Sequence, residues 1–320
     1  MTDTSDCRNV EDRKHIIRLK TLDVKNINGL TVAIDFHRSL TNITGMMSGG
    51  RTRLVDIFYA MRGASYTGYR DVPGIIKHYD DSSRMSMTLT YDDCEVVWAA
   101  GFREIPDVDD GEEPFYLLEP FWRIINENGE IICHYGRDSE EEISDEHAQV
   151  IADCIFWLTH NVITNFKEAL EHMSGLPYGI MGGLMGVSEP REISENIGRL
   201  IPWLAMFTTE SNLLFWADDI YDSIHTLVVR RFAEEVGSRA RKERNQYIMS
   251  SRDADAMVDT YPCWFMMDGR AVKISQEAGR RDELYLFHDD GDRWYGWKRM
   301  LDDEFDKVRK DVTKKLSEVE

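Results

Sequence analysis

The chain has little of what would place a protein in a membrane or outside the cell. No apolar run approaches the roughly 18 to 20 residues that span a bilayer. The opening MTDTSDCRNVEDRK is polar and acidic, with no apolar core of a secretory signal. Cysteine is scarce: five in 320 residues, an odd number, widely scattered (Cys7, Cys94, Cys133, Cys154, Cys263) and without a CxxC pair. That excludes a disulfide framework and offers no zinc-site spacing. Positive charge is also short, with 38 Lys+Arg against 58 Asp+Glu and a net charge of −20. Such a surface repels a phosphate backbone at long range, so this chain alone is not expected to bind DNA or RNA. A basic partner would be attracted to it. There is no internal repeat, and no heptad run long enough for a coiled-coil arm. These absences predict a cytoplasmic protein without a membrane segment.

What is present, 42% hydrophobic and 30% charged residues, suits a globular core. A length of 320 residues lies near the limit for one such core, so one domain with a sub-lobe, or two domains, are expected. Residues 16–36 read as two strands about an Asn28–Gly29 turn. SLTNIT is a third strand, and after it Leu54, Ile57, Phe58 and Met61 recur at helical spacing, with Gly63 placed to end that helix. Hairpins are predicted about Asp92–Asp93, Asn128–Gly129 and Asp268–Gly269. Between the first two, EIPDVDDGEEP is an acidic loop. A helical period of Ile151, Cys154, Ile155, Leu158, Val162, Phe166 and Leu170 predicts one long helix over 144–174, capped by Ser144 or Asp145 and closed by Gly175. LPYGIMGGLMGV reads as a connector and ENIGRLIPWLAMF as a helix bent at Pro202. NLLFWADD and NQYIMSS read as buried strands flanking the helix RRFAEEVGSRARKER. This order is that of an α/β fold with a mixed sheet, an antiparallel hairpin section and a helical lobe. The predicted divisions are 1–140, 141–192 (the helical lobe and connector) and 193–320.

Two stretches carry chemistry. Gly45-Met46-Met47-Ser48-Gly49-Gly50-Arg51-Thr52 lies between a strand and a helix and fits G-x-x-x-x-G-Lys-Thr with arginine for lysine. Glycines permit a tight loop whose N–H groups face phosphate oxygens, and the helix start adds its positive dipole end. Thr52 has the hydroxyl that would bind Mg²⁺. Arg51 keeps the charge of the usual lysine, but as a bulky planar fork that seats differently over phosphates. An ordinary Gly-rich strand-to-helix turn has the same composition. The second stretch is NLLFWADDIYDSIH, an apolar strand delivering Asp218 and Asp219. Asp218 stands where a carboxylate would hold the metal's water shell. Asp219 stands where the water-polarising carboxylate is expected, one methylene shorter than glutamate, so slow hydrolysis follows. The alternative is a strand ending in an acidic turn.

With these stretches in order, the chain resembles the ABC-type ATPase heads of the SMC and OLD (overcoming lysogenization defect) class, especially compact AAA-type ATPases of bacterial defence systems. Residues 16–64 are similar to their opening strands, phosphate loop and first helix. ADDIYDSIHTLVVRRF is similar to their Walker B segment, with Ile224–His225 at its Leu-His. NQYIMSSRDADAMV is similar to their switch segment, with Arg252 in place of the histidine. Their signature segment corresponds to EISENIGRL, where Ser194 and Gly198 match. The resemblance implies a P-loop head that binds ATP and Mg²⁺. Its nucleotide-binding residues would be Gly45, Ser48, Gly49, Gly50, Arg51, Thr52 and Arg53, its metal-binding groups Thr52 and Asp218, its catalytic carboxylate Asp219, and its switch-like residues His225 and Arg252. Departures at Arg51, Asp219, Arg252 and the signature imply weak or absent hydrolysis. Such heads close as dimers, which implies a homo-oligomer or a hetero-complex. With no nuclease domain in 320 residues, the expected effector is a separate chain, in defence or genome maintenance. The alternative is a scaffold that keeps the head fold, binds no nucleotide and acts through protein contacts.

Overall fold

Alternating apolar positions become, in a computed structural model of the chain, two six-stranded sheets. The structure describes residues 15–45, 49–67, 73–105, 115–136, 143–164, 211–218, 234, 236–238, 240, 244–251 and 261–274. The first sheet is antiparallel throughout. It contains β1 (Ile17–Ile27), β2 (Leu30–Asp35), β4 (Arg84–Tyr91), β5 (Cys94–Ile105), β6 (Phe115–Ile125) and β7 (Ile131–Gly136), in the order β2-β1-β4-β5-β6-β7. One face of β4 is apolar, with Met85, Met87, Leu89 and Tyr91 all buried, as the period of two requires. The hairpins turn where the sequence places them, at Asn28–Gly29, Asp92–Asp93 and about Asn128–Gly129.

The second sheet contains β3 (Leu40–Gly45), β8 (Val162–Ile163), β9 (Leu214–Asp218), β10 (Gln246–Ser251), β11 (Cys263–Met267) and β12 (Arg270–Ile274). Its order is β12-β11-β3-β10-β9-β8, and every adjacent pair is parallel except β11–β12. Central parallel strands are covered on both faces, and β3 and β10 are accordingly buried at all six positions.

Helix α1 (Arg51–Thr67) follows β3 and contacts β3 and β9 of one sheet and β4 of the other. Its Leu54, Ile57, Phe58 and Met61 are fully buried in a core that both sheets share. Phe58 meets the Trp216 ring at 5.0 Å, and Phe36 meets it from another side at 5.7 Å. Gly63 does not end this helix, which runs on to Thr67. Glycine within a helix costs about 1 kcal/mol, less than burial of the flanking Met61 and Ala64 returns.

Helix α2 (Asp145–His160) is capped by Ser144, whose hydroxyl accepts from the His147 N–H at 3.3 Å. The predicted helix to residue 174 is corrected here: α2 stops at His160, and Asn161 donates to the Trp157 carbonyl at 2.8 Å. Val162 and Ile163 leave the helix and pair in parallel with Leu214 and Phe215. Both are β-branched, and at this edge sheet pairing outweighs a continued helical period. Phe166, Leu170 and Gly175 lie outside the described residues. So do the connector, the segment around Pro202 and most of the 141–192 division. The described part of that division packs Ile151, Cys154, Trp157 and Leu158 into the shared core. Tyr91 of β4 donates to Asp153 of α2 at 2.7 Å.

Two side-chain amides fasten the sheets together. Beyond the end of β2, the edge of β1 has no strand to pair with on that side among the described residues, and buried polar backbone groups need partners. Asn212 Oδ1 accepts from Ile17 N–H at 2.9 Å, and its Nδ2 donates to the His15 carbonyl at 2.9 Å. Gln246 Oε1 accepts from Leu19 N–H at 2.9 Å, and its Nε2 donates to the carbonyls of Leu19 at 2.7 Å and His37 at 3.1 Å. The two amides thus take the place of a neighbouring strand. Among the described residues no helix is long and apolar enough to cross a membrane, and no cluster of three His, Cys, Asp or Glu side chains is arranged for a metal ion.

Candidate nucleotide site

At the carboxyl end of the parallel sheet, β3, β10 and β9 stop side by side. Ligand sites of open parallel sheets form at such an end, beside loops that lead into helices. Ser250 is in register with Ile43 on one side and Asp218 on the other. Asp218 is therefore level with a residue two positions before Gly45, and two strands away, about 10 Å across the sheet. The loop strand, the helix start and the carboxylate share one end of one sheet.

Gly45 is the last residue of β3, with φ of 149°, and a Cβ there would lie 2.1 Å from the Met266 carbonyl oxygen of β11. Gly50 has φ of 97°, and a Cβ there would lie 2.4 Å from Leu30 Cδ2. Gly45 is thus demanded by close packing against backbone, and Gly50 by its positive φ, whether or not a phosphate is bound. Gly50 also accepts, through its carbonyl, the first α1 hydrogen bond, from Leu54 N–H at 2.9 Å. The N–H groups of the first turn have no partner within the helix, and no acidic side chain occupies that turn. An anion there meets the positive helix end without local repulsion.

Arg51 opens α1 and is buried, 4% exposed, so a permanent positive charge is held within this end of the fold. Thr52 is exposed. Arg53 is exposed and points elsewhere: its Nη1 donates to the Asn28 carbonyl at 2.9 Å, securing the β1–β2 turn. Asn28 in turn accepts from Lys77 and His78 N–H and donates to the Ile75 carbonyl. Gly49 is buried at the loop's end. Asp218 is partly exposed, and its Oδ1 accepts a hydrogen bond from the Ser250 hydroxyl. Ser48, Asp219, His225 and Arg252 lie outside the described residues, as does EISENIGRL.

Sequence reasoning missed Ser250 as a partner of Asp218. Its signal was a small hydroxyl near the end of the buried strand QYIMSS. It also missed Asn212 and Gln246, polar residues at the starts of two apolar strands. Arg244, just before β10, and Arg38 lower the pKa of Arg18 through their charge, after the larger effect of burial.

No family model matches the sequence, and no curated protein matches it. Solved structures do. The chain is similar to an SMC head domain from Thermotoga maritima at 13% identity, over 80% of this chain and 98% of that one, with a TM-score of 0.42. It is similar to an Smc head domain with an extended coiled coil, bound to the C-terminal domain of ScpA and derived from Pyrococcus furiosus, at 11% identity, over 84% and 99%, with a TM-score of 0.41. It is also similar to cbiO1 from Clostridium perfringens, part of the ABC transporter complex cbiONQ, at 10% identity, over 84% and 92%, with a TM-score of 0.41. What the chain can bind rests on its own residues.

Proposed function

We propose that this chain is a nucleotide-binding, ATPase-like subunit that takes ATP with Mg²⁺ at the carboxyl end of β3, β10 and β9. The observation that carries this reading is the convergence there of the α1 N-terminus, free of acidic side chains in its first turn, and the Asp218 carboxylate. The donor set suits the ligand. A hydroxyl at Thr52 and a carboxylate at Asp218 are hard oxygen donors of the kind Mg²⁺ prefers, and the helix start with Arg51 suits the phosphates. Mg²⁺, when bound, would supply charge neutralisation at the phosphate oxygens. Thr52 and Asp218 would hold it, Gly49, Gly50 and Arg51 would cradle the phosphates, and Asp219 would orient water from one methylene further back than glutamate. Slow or absent turnover follows, so occupancy rather than hydrolysis would govern assembly with another copy or an effector chain.

One observation favours a second reading, a scaffold that binds no nucleotide. Gly45 is required by contact with the Met266 backbone and Gly50 by its positive φ, so both would persist in a head that had lost its ligand. Titration of the purified protein with Mg²⁺-ATP, followed by phosphate release from the same sample, separates the two. Saturable binding with little phosphate release is expected. No binding at millimolar ATP would leave the scaffold.

A further inference from the structure

We propose that Ser250 is the positioning residue for the Asp218 carboxylate; this rests on the nucleotide reading and deepens it. Ser250 is 1% exposed, in the strand between the loop strand and the Asp218 strand. Its backbone is held from both sides: it is in register with Ile43 and Asp218, and the next residue's carbonyl accepts from the Thr44 hydroxyl at 3.0 Å. A serine hydroxyl has one proton to give, and two acceptors stand within reach. One is the Ala217 carbonyl at 3.4 Å, and the other is Asp218 Oδ1. An ionised carboxylate is acceptor-only and draws the stronger bond, so the proton goes to Asp218.

That bond occupies one oxygen of Asp218 and fixes the side chain's rotamer. The second oxygen is left for a cation or its water shell. A buried hydroxyl without a partner costs free energy, and serine has a low preference for strands, here at the end of Gln-Tyr-Ile-Met-Ser-Ser. The pairing with Asp218 accounts for its presence.

The test is a split between metal-dependent and metal-independent binding. ATP affinity is measured in EDTA and across a Mg²⁺ titration, for the wild type, Ser250→Ala and Ser250→Thr. Loss of a hydrogen bond to a charged group should raise the Mg²⁺ concentration at half-effect by about 10-fold in Ser250→Ala. Affinity in EDTA should be unchanged, and Ser250→Thr, which keeps the hydroxyl, should stay close to wild type. In an Asp218→Ala background, Ser250→Ala should have no further effect on the Mg²⁺ requirement. An unchanged Mg²⁺ requirement in Ser250→Ala overturns the proposal, and so does an equal loss with and without Mg²⁺, the mark of a merely structural residue. Should Ser250→Ala fail to fold, Ser250→Cys, with a weaker donor of similar shape, must show the same selective loss; wild-type Mg²⁺ dependence in it overturns the proposal. Absence of ATP binding by the wild type is a different result, which removes the nucleotide reading and this proposal with it.

Discussion

Asn212, Asn245 and Gln246, at the amino ends of β9 and β10, are buried neutral amides, each committed to backbone partners. At the carboxyl ends of the same strands and at the adjoining helix start, Thr52 is exposed and Asp218 is partly so, with one oxygen held by Ser250. Neutral amides give and accept hydrogen bonds at short range without the desolvation cost of a charge, so they suit a fixed joint. Charged and hydroxyl groups left accessible suit a ligand that comes and goes. The contrast teaches that a buried polar residue and a half-open one, on one strand, answer to different demands.

The largest expected effect breaks the fixed end. Gln246→Ala leaves the Leu19 N–H and carbonyl without their partners, and should cost about 4 kcal/mol by urea unfolding. A loss below about 1 kcal/mol would mean that water replaces the amide and that the joint is not fixed. Next, Gly45→Ala drives a methyl into the Met266 carbonyl and should cost about 3 kcal/mol, whether or not ATP is present. If its melting point matches wild type, the packing account of this glycine is wrong. The smallest effect concerns Arg53. Arg53→Ala should cost about 1 kcal/mol through the lost bond to Asn28 and leave ATP affinity as it was. A large drop in affinity would move Arg53 from the turn into the site.

Much of the fold was legible because the alternation of Met85, Met87, Leu89 and Tyr91 and the turns at Asn28–Gly29 and Asp92–Asp93 depend on local chemistry. The end of α2 was not. Val162 continues the helical period of Leu158, and only the distant partner Leu214 makes it a strand. Gly63 misled for the same reason, since tertiary burial around Met61 and Ala64 outweighs its helix-ending tendency. In the site, the loop glycines and Asp218 were legible as a pattern, but the pattern conceals two causes. Sequence spacing cannot show that Gly45 is also required by Met266, because those residues meet only through the β3–β11 pairing. Nor does it show that Ser250 reaches Asp218, 32 positions away, since that contact exists only once β9 and β10 pair in register.

The amide joint also sets a schedule. Leu19 and Gln246 are 227 positions apart in the chain. At roughly 5 to 20 residues per second, synthesis takes on the order of 10 to 45 s to travel that far. For most of that interval β1 and β4 have both been made and can pair, but the outer edge of β1 at Leu19 has not met its amide. Strand β3 waits as well, for both of its neighbours, β10 and β11, are made later. The segment from β3 to the start of α1 is thus among the first made and the last enclosed.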